Sequence, residues 1–478
     1  MYNPNFVDRV DEAKLFKDSF NKKEKHIDVY GTIGVGKTQL INHLYPICEE
    51  NYLYIPILLQ KVLTLEKFLE TIALKIEEIT DDGKLLYQFI DYLSEEKKYG
   101  REPDQETVVF LFSEAFRKFL ESRKDQKVLL FFDNTEKVSE KIWEKFQLDV
   151  LEYQLKITRE PKPKVRFITS GRKRLHWWLP EIRNRVFTCS LKLFTKADGT
   201  DKMVLKLAEQ KGIKFENEIS ALETIHQLTL GHPESIAILV DHLTEDHCLL
   251  LDGYDVKRRY EEGVAVLMEQ LVKQKFVYKF EKLTRKEKDY PFSGTCVSLF
   301  QSLAPLRFIS SKILLETLYR LPSFSSLYSN QQLELASRRL FHTLQEEHFI
   351  DRNEDKERYE FPEIVRHILL EDLQLRDYET LIKLHQEMAI MCRRMIEQNF
   401  VDRNLYFVER LYHIVSWQKV ERDKGGKLYD LEETVRSEVK QYFREFGEDK
   451  ASLRSLLEAD DYLKNITNWK KFFRSLKK

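Results

Sequence analysis

The chemistry of this chain concentrates in one octapeptide, Gly31-Thr32-Ile33-Gly34-Val35-Gly36-Lys37-Thr38. Glycine is scarce, 15 in 478 residues, yet three of them fall within these eight positions. Glycines at that spacing let the backbone wind tightly, so that successive N–H groups face phosphate oxygens beside the positive end of a following helix. Lys37 then reaches the β- and γ-phosphates, and the Thr38 hydroxyl ligates Mg²⁺. His26–Tyr30 reads as the buried strand that must precede such a loop, and Gln39–Leu44 as the start of the helix that must follow. The expected ligands are ATP or ADP with Mg²⁺. Gly31, Thr32, Gly34, Val35, Gly36, Lys37, Thr38 and Gln39 are the candidate contacts.

Two further segments can complete the chemistry. Val128–Asp133 is a hydrophobic strand ending in a carboxylate, the Walker B pattern, which sets Asp133 across from Thr38 to hold Mg²⁺ or its water shell. Glu136, three residues on, is placed to orient or deprotonate an attacking water; alternatively it is a solvated acid beside Lys137 and Glu140. Val165–Thr169 runs into Ser170-Gly171-Arg172, which offers a hydroxyl and a guanidinium as γ-phosphate sensors. The competing reading makes Arg172 one surface cation in the basic run Arg172–Arg174.

These residues need a sheet to hold them. Tyr52–Gln60, Val128–Phe132, Val165–Thr169 and Val186–Leu191 read as strands that join His26–Tyr30. Leu65, Phe68, Leu69, Ile72 and Ile76 repeat at helical spacing, as do Val109, Phe112, Phe116, Phe119 and Leu120. Between them Glu95–Asp104 reads as a solvated loop, and Arg159–Lys164 as a turn. Strands alternating with helices imply a mainly parallel sheet covered on both faces. From Phe194 onward the pattern is mostly helical. The exception is a hairpin, His348–Asp351 with Arg358–Phe361, after a helix carrying Leu333, Ala336, Leu340 and Leu344. That order predicts a winged helix. Leu381, Leu384, Met388, Met391 and Met395 mark a later helix face, and Asp423–Lys427 a linker. The expected architecture is an α/β P-loop NTPase domain (1–193), a helical region (194–285), a winged helix (286–375) and an α-helical C-terminal region (376–478).

Composition excludes several classes. Seventy-eight Lys+Arg balance 79 Asp+Glu, a net charge of -1, so the chain is no general polyanion binder, although a local basic patch stays open. No apolar run approaches the ~18 residues of a membrane span. The start of the chain, with Asp8, Asp11 and Glu12, does not read as a signal peptide. Five cysteines without a CxxC pair suit a reduced compartment, so the expectation is a cytoplasmic protein without metal beyond Mg²⁺. Trp177-Trp178 near Arg183 and Arg185 reads as a packed helix, with nucleic-acid contact as the alternative. Trp469–Lys478 reads as a solvated terminal helix.

With these residues in place the sequence resembles a STAND-type P-loop ATPase, the NB-ARC-like, AAA+-related signalling class. Phe6-Val7-Asp8-Arg9-Val10-Asp11-Glu12 is similar to its hhGRxxE motif, with Asp8 where glycine is usual, and implies Arg9 beside the adenine. Ile168–Arg172 resembles the sensor strand with one residue inserted before the arginine. Gly231-His232-Pro233 matches the GxP motif, whose proline packs on adenine from the lid; taken alone it is an ordinary helix-starting turn. Leu303–Phe308 and the hairpin look like the class's winged helix, and Leu384-His385 with Glu409–His413 resemble the helices that follow. Phe361-Pro362-Glu363 falls where relatives carry an MHD-like histidine, which Pro362 replaces. Asn134 stands where a second acid is common, so Glu136 resembles the base of a D-N-x-E variant.

The resemblance implies an ATP-binding, slowly hydrolysing switch that couples nucleotide state to oligomerisation or partner binding, in bacteria often in defence or regulation. Its effector or sensor is expected on a partner chain. The alternative is a winged-helix DNA-binding ATPase of origin-recognition or transcription-regulator type. Arg338 and Arg339 are the candidate DNA contacts, but Glu346, Glu347, Asp351, Glu354 and Asp355 nearby disfavour phosphate. A small-molecule kinase is a third option, without an identifiable substrate pocket.

Overall fold

The computed structural model describes residues 9–22, 25–48, 52–62, 64–80, 86–123, 126–152, 165–215, 217–245, 256–284, 296–320, 329–353, 358–398, 402–447 and 450–475. The chain divides into two compact units, Met1–Leu250 and Leu251–Lys478. Phe6–Asp8, the expected turn Arg159–Lys164, and Glu354 and Asp355 lie outside the described residues.

Among the described residues the first unit is built on five parallel strands, β1 (His26–Tyr30), β2 (Tyr52–Leu58), β3 (Lys127–Asp133), β4 (Val165–Gly171) and β5 (Val186–Ser190). They lie in the order β2-β3-β4-β1-β5. Period-2 alternation divides their side chains between two cores. Leu129 and Phe131 join Ile27, Val29 and Ile168 against helices α1 (Val10–Lys17) and α2 (Lys37–Cys48). Val128, Leu130 and Phe132 face the other way. They meet α3 (Leu65–Thr80), α4 (Tyr87–Lys98), α5 (Gln105–Ser122) and α6 (Glu140–Lys145) through Phe68, Phe89, Phe112 and Trp143. The register decides what meets at the strand ends. Tyr30 lies level with Gly171, and Asp133 with Ser170. The ends of β1, β3 and β4 therefore present Gly31, Asp133 and Ser170–Arg172 along one edge of the sheet.

Two expectations are corrected here. The stretch 95–104 is a loop only from Tyr99 onward, because α4 continues through Lys98, anchored by buried Phe89 and Leu93. Trp177-Trp178 lies in an irregular segment, not a helix; the nearest helix is the single turn Pro180–Arg183. Trp177 is nevertheless core, its ring against Phe167 and His26.

The second unit contains the winged helix. Helices Cys296–Leu303, Ser311–Arg320 and Asn330–Glu346 are followed by the antiparallel hairpin β6 (Asp351–Asn353) and β7 (Arg358–Glu360). Ile309 adds a bridge to Tyr359, its N–H 2.7 Å from the Tyr359 carbonyl. The hairpin starts three residues later than expected. Phe349 N–H turns back to the Leu344 carbonyl (2.8 Å), and His348 takes a left-handed φ of 57°, so these residues close the preceding helix. Helices Tyr378–Gln398 and Arg403–Asp423 follow, the second stopping where the linker was expected. The helix Trp469–Ser475 is not simply solvated: Trp469, Phe472 and Phe473 are buried. Among the described residues no helix is long and apolar enough to cross a membrane.

Buried imidazoles give the fold a pH dependence. Burial, then the charges of Arg166 and Arg185, lower His26 from 6.5 to about 3. Burial also holds His385 and His413 well below 6.5, helped for His385 by His413 and Arg366 and for His413 by Arg307 and Arg366. A depressed folded-state pKa means that the unfolded chain binds the proton first. The stability these groups contribute is complete above 6.5 and is lost as pH falls below it. Thermal melting at pH 5 should therefore occur at lower temperature than at pH 7. A melting temperature that is flat or rises on acidification contradicts this account.

Candidate functional site

The octapeptide forms the loop between β1 and α2. Gly34 and Gly36 take φ of 73° and 96°, conformations that a side chain disfavours. The Lys37 ammonium curls over its own loop, donating to the carbonyls of Gly31 (2.8 Å) and Thr32 (2.9 Å). Val35 is buried in the sheet core, whereas Gln39 points to the exposed side of α2.

Thr38 opens the first turn of α2, and its hydroxyl donates to Asp133 Oδ2 at 2.8 Å. The other carboxylate oxygen accepts Asn134 N–H at 3.0 Å. Two hard oxygen donors so placed are the kind of set Mg²⁺ takes from protein in phosphate sites. Asn134 adopts a left-handed φ of 62°, which Asn tolerates better than most residues. That bend leads into the short 3₁₀ turn Thr135–Lys137 carrying Glu136.

Glu136 and Arg172 are not surface charges. Their side chains are 7% and 10% exposed, and Arg172 Nε lies 3.5 Å from Glu136 Oε1. Gly171 permits this approach, since a Cβ there would lie 2.1 Å from Thr135 Oγ1. The Trp143 indole fixes the same turn by donating to the Thr135 carbonyl at 3.2 Å. Ser170 is fully buried, and among the described residues its hydroxyl has no hydrogen-bond partner. An orphaned hydroxyl level with Asp133 fits a site that receives a further polar group.

Arg9 and Pro233 were expected beside the adenine. The Arg9 guanidinium donates to the carbonyls of Val35 (3.2 Å) and Lys192 (2.7 Å), pairs with Glu12 (3.0 Å) and lies 4.5 Å over the Phe194 ring. It braces α1 against the phosphate loop. Pro233 opens the helix Pro233–Glu245, but the residue that reaches the loop is the one before it. His232 is fully buried, with Nε2 2.7 Å from the Ile33 carbonyl. Ser235 N–H donates to His232 Nδ1 (3.2 Å), so Nδ1 is the acceptor and Nε2 carries the proton donated to Ile33. The turn rests so closely on the loop that a Cβ on Gly34 would lie 2.5 Å from Glu234 Oε2 and 2.6 Å from the His232 ring.

The geometry thus gathers Lys37, Thr38, Asp133, Glu136, Ser170 and Arg172 at the ends of three adjacent strands. His232 was missed by the motif reading, which pointed to the proline; a lone histidine between Gly and Pro carries no spacing signal.

No protein-family profile matches this chain, and no curated protein matches it in sequence. Solved structures do. The Aeropyrum pernix ORC2 protein, in ADPNP and ADP complexes, is 12% identical with a TM-score of 0.39, over 78% of this chain and 96% of that one. The Aeropyrum pernix ORC1 protein, solved with DNA, is 13% identical with a TM-score of 0.39, over 77% and 93%. The Cdc6p protein of Pyrobaculum aerophilum is 12% identical with a TM-score of 0.34, over 78% and 97%. Likenesses this loose place the chain in no family.

Proposed function

We propose that this chain is an ATPase of the P-loop class that works as a nucleotide-controlled switch. The observation carrying the proposal is the Thr38–Asp133 contact at 2.8 Å, at the mouth of a glycine loop and beside the buried Glu136–Arg172 pair. In this reading the loop N–H groups and Lys37 hold the β- and γ-phosphates, and Thr38 and Asp133 hold the metal. Mg²⁺, when bound, supplies neutralisation of charge on the phosphate oxygens. Glu136 accepts a proton from the attacking water, and Arg172 pairs with the γ-phosphate. Because Arg172 and Glu136 face each other, a γ-phosphate that draws the guanidinium away also releases the carboxylate for base work. A base so restrained suits slow turnover.

The STAND resemblance supports a switch whose nucleotide state governs self-assembly or the docking of a partner protein. Its parts would be the P-loop domain (1–193), the lid with Gly231–Pro233 (194–285), the winged helix (286–375) and the helical end (376–478).

A second reading, a winged-helix DNA-binding ATPase of origin-recognition type, is favoured by the helix-helix-hairpin arrangement of 309–360. The outer face of its long helix is partly self-neutralised, Arg338 pairing with Glu334 at 2.8 Å and His342 lying 3.3 Å from Glu346. That pairing weakens the case for phosphate contact there.

Phosphate release from ATP by the purified chain, with light scattering in ADP and in a non-hydrolysable ATP analogue, tests the first reading. Turnover with a mass increase confined to the ATP analogue is expected. Absence of ATP binding overturns both readings. Steep, salt-dependent duplex binding lost on Arg338→Glu with Arg339→Glu replaces the first by the second.

A further inference from the structure

Asp28 is a buried acid that the motifs leave without a task. It lies in the middle of β1, three residues before the phosphate loop, and is 0% exposed. A carboxylate inside a parallel sheet is costly unless its oxygens are hydrogen-bonded. One oxygen accepts the Thr169 hydroxyl at 2.8 Å, and the other accepts Leu175 N–H at 3.0 Å. Thr169 lies three residues before Arg172, and Leu175 three residues after it. The two oxygens of one side chain therefore grip both ends of the segment that presents Arg172 to Glu136.

The segment after Arg172 needs such a grip. Residues 174–179 belong to no helix or strand, yet Leu175, Trp177 and Leu179 are buried. Their backbone polar groups must find partners outside regular structure. Gln147, fully buried, supplies some: its amide donates to the His176 carbonyl (3.0 Å), and its oxygen accepts Trp178 N–H (2.9 Å). Gln147 thus holds the far half of the segment, and Asp28 the half next to the chemistry.

We infer that Asp28 is a positioning residue for hydrolysis: by holding Thr169 and Leu175 together it fixes the guanidinium of Arg172 against the Glu136 carboxylate. The inference rests on the ATPase reading above. It does not involve contact between Asp28 and the nucleotide, and so it separates turnover from binding.

The test is a double-mutant cycle. Asp28→Ala removes both acceptor oxygens, so that the side chain can hold neither Thr169 nor Leu175. Its kcat should fall about 10-fold or more, with ATP affinity within about 2-fold of wild type, the pattern of a displaced catalytic group. In the Arg172→Ala background the same change should have no further effect on kcat. Thr169→Val, which removes one grip and preserves the carboxylate, should show a smaller fall of the same kind. Gln147→Leu serves as the structural control, lowering the melting temperature with kcat retained.

A wild-type chain that binds but never hydrolyses ATP overturns the ATPase reading and this inference together. Wild-type turnover with Asp28→Ala unaffected, or with full additivity against Arg172→Ala, overturns this inference alone. If Asp28→Ala does not fold, an unchanged kcat in Thr169→Val overturns it.

Discussion

Replacing Lys37 by alanine is expected to weaken ATP and ADP binding by at least about 100-fold, about 2.7 kcal/mol, and to remove measurable turnover. The ammonium lies within the loop, 2.8 and 2.9 Å from the carbonyls of Gly31 and Thr32, where the backbone otherwise offers N–H dipoles. It is the one full positive charge that the octapeptide itself contributes. Charge-assisted hydrogen bonds to phosphate contribute about 1.5–3 kcal/mol each, and a lysine at this place makes more than one. The loop's shape comes from its glycines, so the fold should survive the change. Titration with a fluorescent nucleotide reads the affinity, and a melting curve without nucleotide checks the fold. A Lys37→Ala chain that binds ATP as wild type does would refute the assignment of this loop.

The second large effect is structural and belongs to the other unit. Arg307 donates through its backbone N–H to Glu409 Oε1 (3.1 Å) and through Nε to Oε2 (2.8 Å). It also reaches Asp460 Oδ2 (2.6 Å) and lies 4.2 Å over the Tyr412 ring. Glu409 is 2% exposed, so truncating Arg307 to alanine strands a carboxylate away from water. What remains beside it is the backbone N–H of residue 307, which the substitution keeps, and His413, whose Nε2 is 3.6 Å away and whose pKa burial keeps low. Breaking a buried pair from one side costs about 3–5 kcal/mol. The midpoint of the urea transition that reports on the C-terminal unit should shift accordingly. The double change Arg307→Ala with Glu409→Ala should cost less than the sum of the two singles. Full additivity would show that the residues act independently.

The fold was legible wherever burial imposes a period. Val128 to Phe132 send alternate side chains into two cores, so the strand shows in the sequence as an unbroken apolar run, the mark of a sheet covered on both faces. The phosphate loop was legible for a different reason: its geometry tolerates so few residue types that spacing alone identifies it. α4 was missed because its anchors, Phe89 and Leu93, are followed by EEKK, which is polar enough to pass for a loop. The Trp177 segment was misread because aromatics indicate burial without indicating backbone shape. Within the site, Asp133, Glu136 and Arg172 announced themselves by type. His232, Gly171 and Asp28 act through contacts with residues distant in the chain, and no local spacing encodes such a contact.

The bond from His232 to Ile33 has a thermodynamic corollary. If loading the phosphate loop shifts the Ile33 peptide, the helix that starts at Pro233 feels it, and the effect must run equally in reverse. A protein that grips that helix and tilts it would alter nucleotide affinity by the same factor by which nucleotide alters its grip. Such a partner would be an exchange factor that never touches the nucleotide. The residence time of ADP, and with it the lifetime of the signal, would then be set from outside the pocket.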